Sequence, residues 1–391
     1  MHLLETWGIM RIDRYNNEYL FVLYLYIFAI IKPILALFSS YSTLILLTCV
    51  LLVVIGKLMI SITISYRNFT IWLSTSVFFI TFLLWGKYIG NYSVVDQYII
   101  NFVIYGIIPL FLLASVKDYS KVLFFVSRLS IVATVIIIAD PFIGFILTGG
   151  YMEYGFTMLT YSFAGIVLNY YKFEHKWCGL LIIIDLILIA VYGNKGALIT
   201  ALVLLFATIV TKERMILKKM ILYIMMVLAL AFWKQILTWV ISIAELFVKD
   251  TYSINTFKIL LNDSSIITSV RTNIWDDALQ VIRTHPFGTG VGFFETYYHG
   301  YTHNVELDIA VMFGLAGLFV FVALLIWAIK KLILLEYRNK KIFLLGCLIC
   351  SMVPLQISLT IWNVLLFWVF WGGILFEQES EYDTSFLKQE N

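Results

Sequence analysis

Two short polar segments interrupt an apolar sequence and carry residues that can bind an anion and accept a proton. Lys195 lies in YGNKG (192–196) directly before an apolar run, and His303-Asn304 directly precedes another. Asn194 and Asn304 are residue types favoured at helix N-caps. A helix N-terminus with a nearby cation favours anions. The pattern indicates an anion site beside an imidazole; the plainer alternatives are a solvated loop lysine and an interfacial histidine.

Two further cations, Arg271 and Arg283, lie in one predicted amphipathic segment. Arginine presents a planar, permanently charged fork that suits the oxygens of a diphosphate, although surface arginines are usually only solvated. Glu306 and Asp308 follow His303 within two turns of a predicted helix. Acids in the first turns of a helix stabilise the positive end of its dipole. This is a simpler explanation for Glu306 and Asp308 than a catalytic role.

Motifs for metals and nucleotides are weak in this sequence. Residues 288–292 read GTGVG, but no predicted βαβ unit surrounds them, which argues against dinucleotide binding. His299 and His303 are four residues apart, without the glutamate of an HExxH motif or an obvious third ligand. Asp276-Asp277 lies in a predicted helix and forms no DxD motif. We therefore predict no metal and no cofactor.

The composition indicates that lipid surrounds most of the chain. Of 391 residues, 62% are hydrophobic and only 13% are charged, whereas soluble domains average about 25% charged residues. The mean hydropathy is +0.94. A soluble protein of this size cannot bury so much apolar surface, and a net charge of +3 is too small to indicate a nucleic-acid partner. We predict an all-α, polytopic membrane helix bundle.

Apolar runs of about 20 residues, the length that crosses a bilayer, predict about 12 transmembrane helices. Their approximate positions are 19–38, 43–64, 70–89, 98–115, 122–147, 155–171, 177–193, 196–211, 219–239, 306–329, 342–357 and 361–376. The chain is accordingly divided into four parts. These are a bundle of about nine spans (1–239), a large outer loop (240–305), a bundle of about three spans (306–376) and an acidic tail (377–391).

The distribution of basic residues predicts the orientation of the bundle. Lysine and arginine are concentrated in the even-numbered connections, whereas the short odd-numbered connections contain only Lys87 and Lys195. Cytoplasmic loops carry the excess of positive charge in membrane proteins. Both termini are therefore predicted to be cytoplasmic, and the loop 240–305 is predicted to face outside.

The outer loop is predicted to contain short helices. Residues 269–285 show helical spacing of apolar side chains, and the predicted helix stops at His285-Pro286. Gly288 and Gly290 then provide a pliable turn before a Tyr-rich stretch. No internal repeat relates the two halves of the chain, which counts against the repeat architecture of many transporters.

This region resembles the signature region of the bacterial O-antigen ligase and polymerase superfamily. The resemblance rests on RTNIWDDALQVIRTHPFGTGVGFFETYYHGYTHNVELDIAVMFGLAG, which has the family's order of basic, Pro-Gly, HN, acidic and glycine-rich elements. In this chain those elements are Arg271, Pro286, Gly288, Gly290, His303-Asn304, Glu306-Leu307, Gly314 and Gly317. Upstream, YGNKGALI resembles the family's basic Gly-Ala step. Lys195 stands where arginine is more usual, which keeps the charge but not the bidentate fork.

The resemblance implies a metal-independent glycosyltransferase. Such enzymes take a glycan from an undecaprenyl-diphosphate carrier and place it on an acceptor hydroxyl at the outer face of the bacterial cytoplasmic (inner) membrane. On this chain it implies that Lys195, Arg271 and Arg283 neutralise the leaving diphosphate in place of a metal. It also implies His303 as the general base. Glu306 is the reserve base, or the residue that holds the imidazole tautomer.

We predict a polysaccharide repeat-unit polymerase for O-antigen (lipopolysaccharide) or capsule synthesis. The implied partners are an undecaprenyl-diphosphate-linked oligosaccharide, an acceptor glycolipid and membrane lipid, with a chain-length regulator and a flippase as further candidates. Two alternatives stay open. One is the O-antigen ligase, which passes finished polymer to lipid A core. The other, from a different class, is a twelve-span transporter or lipid flippase.

Overall fold

The structure is a computed structural model that describes residues 17–36, 64–90, 92–146, 148–173, 175, 177–212, 216–247, 251–262 and 264–377. These ranges contain helices and no strand, which confirms the predicted all-α class. In chain order the helices are α1 (Asn17–Ala36), α2 (Tyr66–Gly90), α3 (Ser93–Leu113), α4 (Tyr119–Ala139), α5 (151–172), α6 (Cys178–Tyr192), α7 (Lys195–Lys212), α8 (Ile216–Ala231), α9 (Trp233–Phe247), α10 (Tyr252–Asn262), α11 (Ser264–Thr284), α12 (Phe293–Tyr298), α13 (Val305–Leu334), α14 (Arg338–Leu355) and α15 (Leu365–Leu375).

Among the described residues, four helices are long and apolar enough to cross a membrane. They are α2, α3, α13, and α4 together with the short turn that extends it to Ile143. Helices α6, α7 and α15 are apolar but shorter. Since a bilayer core offers no water to backbone groups, apolar runs of this length fold as helices. The chain is an integral membrane protein, and the count of about 12 spans stays a prediction.

Every predicted span except the second overlaps a helix in the part of the chain that the structure describes. The predicted second span, 43–64, lies outside the described residues except for residue 64. The predicted span 219–239 is divided at Phe232 between α8 and α9, and α9 continues to Phe247, past the predicted start of the outer loop. The last predicted span begins with a 3₁₀ turn, Ile361–Asn363, before α15.

The amphipathic helix predicted in the outer loop is confirmed as α11, which ends at Thr284 directly before His285-Pro286. One face of α11 packs against α12 and the first turns of α13. The contacting apolar residues are Ile274, Ala278, Val281, Ile282, Phe294, Ala310 and Val311. This packing fixes the loop helix that carries Arg271 to the span that follows His303.

The glycine turn after α11 docks onto a break in α13. Gly314 has φ 73° and ψ −177°, which interrupts that helix and removes helical partners from nearby backbone groups. The turn replaces them through three bonds: Thr289 N–H to Val311 O (2.8 Å), Gly290 N–H to Met312 O (3.1 Å), and Leu315 N–H to Pro286 O (2.9 Å). The predicted glycine turn therefore joins the loop to the membrane helix through the backbone.

Gly288→Ala is expected to open this junction. Gly288 has φ 86°, where a residue with a side chain costs of order 1–3 kcal/mol, and an added Cβ would lie 2.6 Å from the nitrogen of Gly314. We expect a lower unfolding temperature and faster proteolysis of the loop. Gly300→Ala is the matched control, because nothing lies within 4 Å of its added Cβ. Equal proteolysis of both variants would contradict this account.

Candidate functional site

The chain enters α7 through a fixed turn that makes Lys195 the first residue of the helix. The Asn194 side-chain oxygen accepts a hydrogen bond from Ala197 N–H (2.8 Å), which confirms the predicted N-cap. From α10, the Ser253 hydroxyl donates to the carbonyl oxygen of Gly193. The outer loop therefore packs directly against the turn that presents Lys195.

His303 lies in a second fixed turn, directly before α13. Its backbone is left-handed, with φ 56°, a conformation that persists only where the surroundings enforce it. Its ring lies beside Tyr301, with 4.3 Å between ring centroids. Asn304 Oδ1 accepts from Leu307 N–H (2.9 Å), so this predicted N-cap is also confirmed. The imidazole is thus placed at the N-terminal end of a capped helix.

A hydrogen bond from α11 holds the His303 turn. The Trp275 indole N–H donates to the carbonyl oxygen of Thr302 at 3.0 Å. Arg271 and Trp275 are four residues apart on α11, so they lie on the same face of the helix. The helical face that carries Arg271 is therefore attached to the residue immediately before His303.

Gln356, in the turn after α14, binds the start of α13. Its Oε1 accepts from Asn304 Nδ2 (3.0 Å), and its Nε2 donates to Glu306 Oε1 (2.7 Å). The following residue, Ile357, has its Cγ2 3.6 Å from the position of a Cβ added to Gly196. The turn after α14 thus touches the first residues of both α7 and α13, which places those two helix starts side by side.

Arg271 is within electrostatic range of both Lys195 and His303, and its positive charge disfavours the protonated form of each. Burial, with a smaller effect from Arg271, lowers the pKa of His303 below its ordinary value. The imidazole is therefore neutral at neutral pH and able to accept a proton. Among the described residues, the ion pairs include neither Lys195 nor Arg271. Two neighbouring cations without a carboxylate favour binding of a multivalent anion.

The structure places Arg271 within electrostatic range of Lys195 and of His303, whereas Arg283 lies elsewhere on α11. Helix α11 rises ~1.5 Å per residue, so Arg283 is roughly 18 Å further along its axis than Arg271. It is exposed in the last turn of that helix. Glu306 is half-buried in the first turn of α13, with its carboxylate bound by the glutamine amide described above.

Reasoning from the sequence missed the residues that hold this cluster in place. Trp275 belongs to the predicted amphipathic helix, but nothing local to it indicates that its indole reaches Thr302. Gln356 is an isolated amide between two apolar runs. A lone polar residue at such a point is the signal that could have identified it, since a buried amide needs hydrogen-bond partners.

The buried Asp308 of α13 supports the turn that carries His303, and the half-buried Glu295 of α12 lies near it. The Tyr98 hydroxyl donates to Glu295 Oε1 (2.7 Å), and the Thr302 hydroxyl donates to Asp308 Oδ1 (2.9 Å). The two carboxyls interact unfavourably with each other, and burial raises the pKa of Glu295. Asp308 therefore does more than stabilise a helix dipole.

An apolar helix bundle with helices of membrane-spanning length is an integral membrane protein, and this one carries a group of polar side chains near the starts of α7 and α13. Residues 178–322, from the start of α6 into α13, match the family model described as O-Antigen ligase. This match confirms the resemblance to the O-antigen polymerase and ligase superfamily, whose members are membrane glycosyltransferase-like enzymes. The matched range includes all the predicted site residues. No curated protein matches the chain significantly.

Proposed function

We propose that the protein is a polysaccharide repeat-unit polymerase. It transfers a glycan from an undecaprenyl-diphosphate-linked donor to a sugar hydroxyl of a second lipid-linked oligosaccharide, in O-antigen or capsule synthesis. One arrangement carries the proposal: Arg271 lies within electrostatic range of both Lys195 and the imidazole of His303, and neither cation has a carboxylate partner among the described residues. The family match supports glycosyl transfer and is common to polymerases and ligases.

The residues of the cluster supply what the transfer requires. The acceptor oxygen bonds to the anomeric carbon while the bond from that carbon to the donor phosphate oxygen breaks, and the electron pair leaves with the diphosphate. His303 takes the proton of the acceptor hydroxyl. Lys195 and Arg271 stabilise the charge on the leaving diphosphate, in the role that a metal ion has in other transferases. Glu306 is kept as the reserve base.

The charge of the outer loop supports a polymerase over a ligase. Residues 240–305 contain four Lys or Arg and six Asp or Glu, which gives a net charge of −2 with neutral histidines. A ligase must hold the anionic lipid A core beside this loop, whereas a polymerase receives a second lipid-linked repeat unit. The ligase remains the second candidate because the matching family model is described as O-Antigen ligase.

The proposal includes an orientation and a set of partners. The cluster faces the outer side of the bacterial inner membrane, with both termini cytoplasmic, as the distribution of lysine and arginine favours. The partners are the lipid-linked donor and acceptor, and further candidates are a flippase that delivers them and a chain-length regulator. A transporter would instead need charged groups along a path through the bundle, whereas Lys195 and His303 both lie at helix starts.

Purified protein incubated with a lipid-linked repeat unit, with and without lipid A core, tests the proposal. We expect a ladder of lipid-linked polymers in the absence of core, because the acceptor is a second copy of the donor. The protein carrying His303→Ala is the background control. Transfer that occurs only with core would assign the protein as a ligase, and no transfer under either condition would refute glycosyl transfer to these acceptors.

A further inference from the structure

A cavity of about 330 Å³ lies among α1, α4, α5, α7 and α14, and we call it the basal cavity. Its volume is within the ~300–1,000 Å³ range of small-molecule pockets. Apolar side chains line most of its depth, including Leu25, Leu123, Leu204 and Ile349. No residue of the candidate site lines it. An apolar cavity of this size between membrane helices is suited to a hydrocarbon chain.

The basal cavity extends from the end of the bundle opposite to the candidate site, where Arg338 and Lys341 line it, toward Leu366 at the start of α15. Helix α7 starts at Lys195 in the site and lines the cavity with residues 204–211 of its last turns. Its 18 residues correspond to ~27 Å of length, close to the ~30 Å thickness of the hydrocarbon core. Helix α13 likewise leads away from the site, and the first turns of α14 line the cavity. The charged end of the basal cavity and the candidate site therefore face opposite leaflets.

Two cations lie at the mouth of the basal cavity, Arg338 and Lys341 of α14. The Lys341 ammonium donates to the carbonyl oxygens of Ile333 and Leu335 at the end of α13, the latter at 3.5 Å. These bonds hold its ammonium at the end of α13, beside the first turn of α14. Arg338 is exposed and forms no ion pair within the described part of the chain. An apolar interior below fixed positive charge is complementary to an amphiphile with an anionic head.

We propose that the basal cavity binds one acyl chain of an anionic phospholipid, whose phosphate lies against Arg338 and Lys341. Charge complementarity selects an anionic headgroup over a zwitterionic one. The lipid-linked donor is a poor occupant, because its diphosphate is proposed to bind roughly 27 Å away, at the other end of α7. The bound lipid fills the space between α5, α7 and α14. The assignment of this site to the cytoplasmic leaflet and the exclusion of the donor rest on the proposed function; the cavity and its two cations do not.

Gly346 allows the cavity to be filled without a clash. It lines the basal cavity, and nothing lies within 4 Å of an added Cβ. Gly346→Leu therefore places a side chain in open space and also favours the helix, since glycine is a poor helix former. The matched control is Gly179→Leu on α6, which lies outside the cavity lining and whose added Cβ has its nearest contact at 3.8 Å, from Tyr170.

Native mass spectrometry of the detergent-purified full chain, titrated with phosphatidylglycerol or phosphatidylcholine, measures the binding. We expect one phosphatidylglycerol per chain, bound at least about fivefold more tightly than phosphatidylcholine, since one cation near a lipid surface contributes about that factor. Gly346→Leu should lose this binding and Gly179→Leu should keep it. Equal binding of both lipids, or unchanged binding by Gly346→Leu, would overturn the proposal.

A second variant keeps the test decisive if Gly346→Leu fails to fold. Arg338→Gln with Lys341→Gln should abolish the preference for phosphatidylglycerol, while Lys330→Gln, an exposed cation outside the cavity lining, should retain it. A preference that survives the double substitution would exclude these cations as the headgroup site. Because lipid binding is measured without turnover, its failure is distinguishable from a failure of the transferase proposal.

Discussion

Replacing His303 with alanine is expected to reduce polymer formation about 10²–10⁴-fold, the usual contribution of a general base. The chain should still insert and fold, since the neighbouring Asn304 cap and the Trp275 bond to Thr302 do not involve the imidazole. The measurement is the rate of polymer formation by purified protein, together with the unfolding temperature. His299→Ala is the control, because His299 is exposed and also left-handed, with φ 56°.

The pH dependence tests the same role independently. Burial lowers the pKa of His303 below its ordinary value near ~6.5. The neutral, proton-accepting form is lost only as pH falls through that lowered pKa. The acidic limb of the rate profile should therefore have its midpoint below ~6.5. A midpoint above that value, or normal long-chain polysaccharide made by His303→Ala, would remove His303 from the mechanism.

Arg271→Ala is expected to reduce transfer by about 10²–10³-fold, as for the loss of one donor that stabilises developing negative charge. Arg271→Lys should recover only part of this loss, because an ammonium keeps the charge without the planar fork. The defect should be measured with saturating donor, since stabilisation of the leaving diphosphate lowers the transition state rather than only the donor affinity.

Arg283→Ala provides the contrast within the same helix. Arg283 is exposed and roughly 18 Å along α11 from Arg271, so its loss should change the rate less than tenfold. Equal defects in Arg271→Ala and Arg283→Ala would mean that the donor extends along the whole helix. Such a result would contradict a diphosphate site formed by Lys195 and Arg271 alone.

Local features of the sequence determined much of this architecture. Runs of apolar residues predict the helices, because a chain in lipid must satisfy its backbone internally. The caps at Asn194 and Asn304, and the end of α11 before His285-Pro286, are each decided within one helical turn. The resemblance to the O-antigen polymerase and ligase superfamily depends only on the order of residues along the chain. The sequence alone therefore revealed it, and the family match confirms it. The catalytic and binding roles of the cluster stay predictions.

Only the tertiary structure decided which of the candidate residues meet. Lys195, Arg271 and His303 lie far apart in the sequence. Arg271 and Arg283 lie in the same amphipathic segment, so no helical or turn pattern shows that Arg271 lies near the other two residues and Arg283 does not. Their arrangement depends on the turn after α14, whose Gln356 binds the start of α13 and whose Ile357 lies against the start of α7, and on the backbone bonds between the loop and the break at Gly314. These contacts form between elements after they fold, and the periodicity of one segment contains no information about the neighbour it packs against.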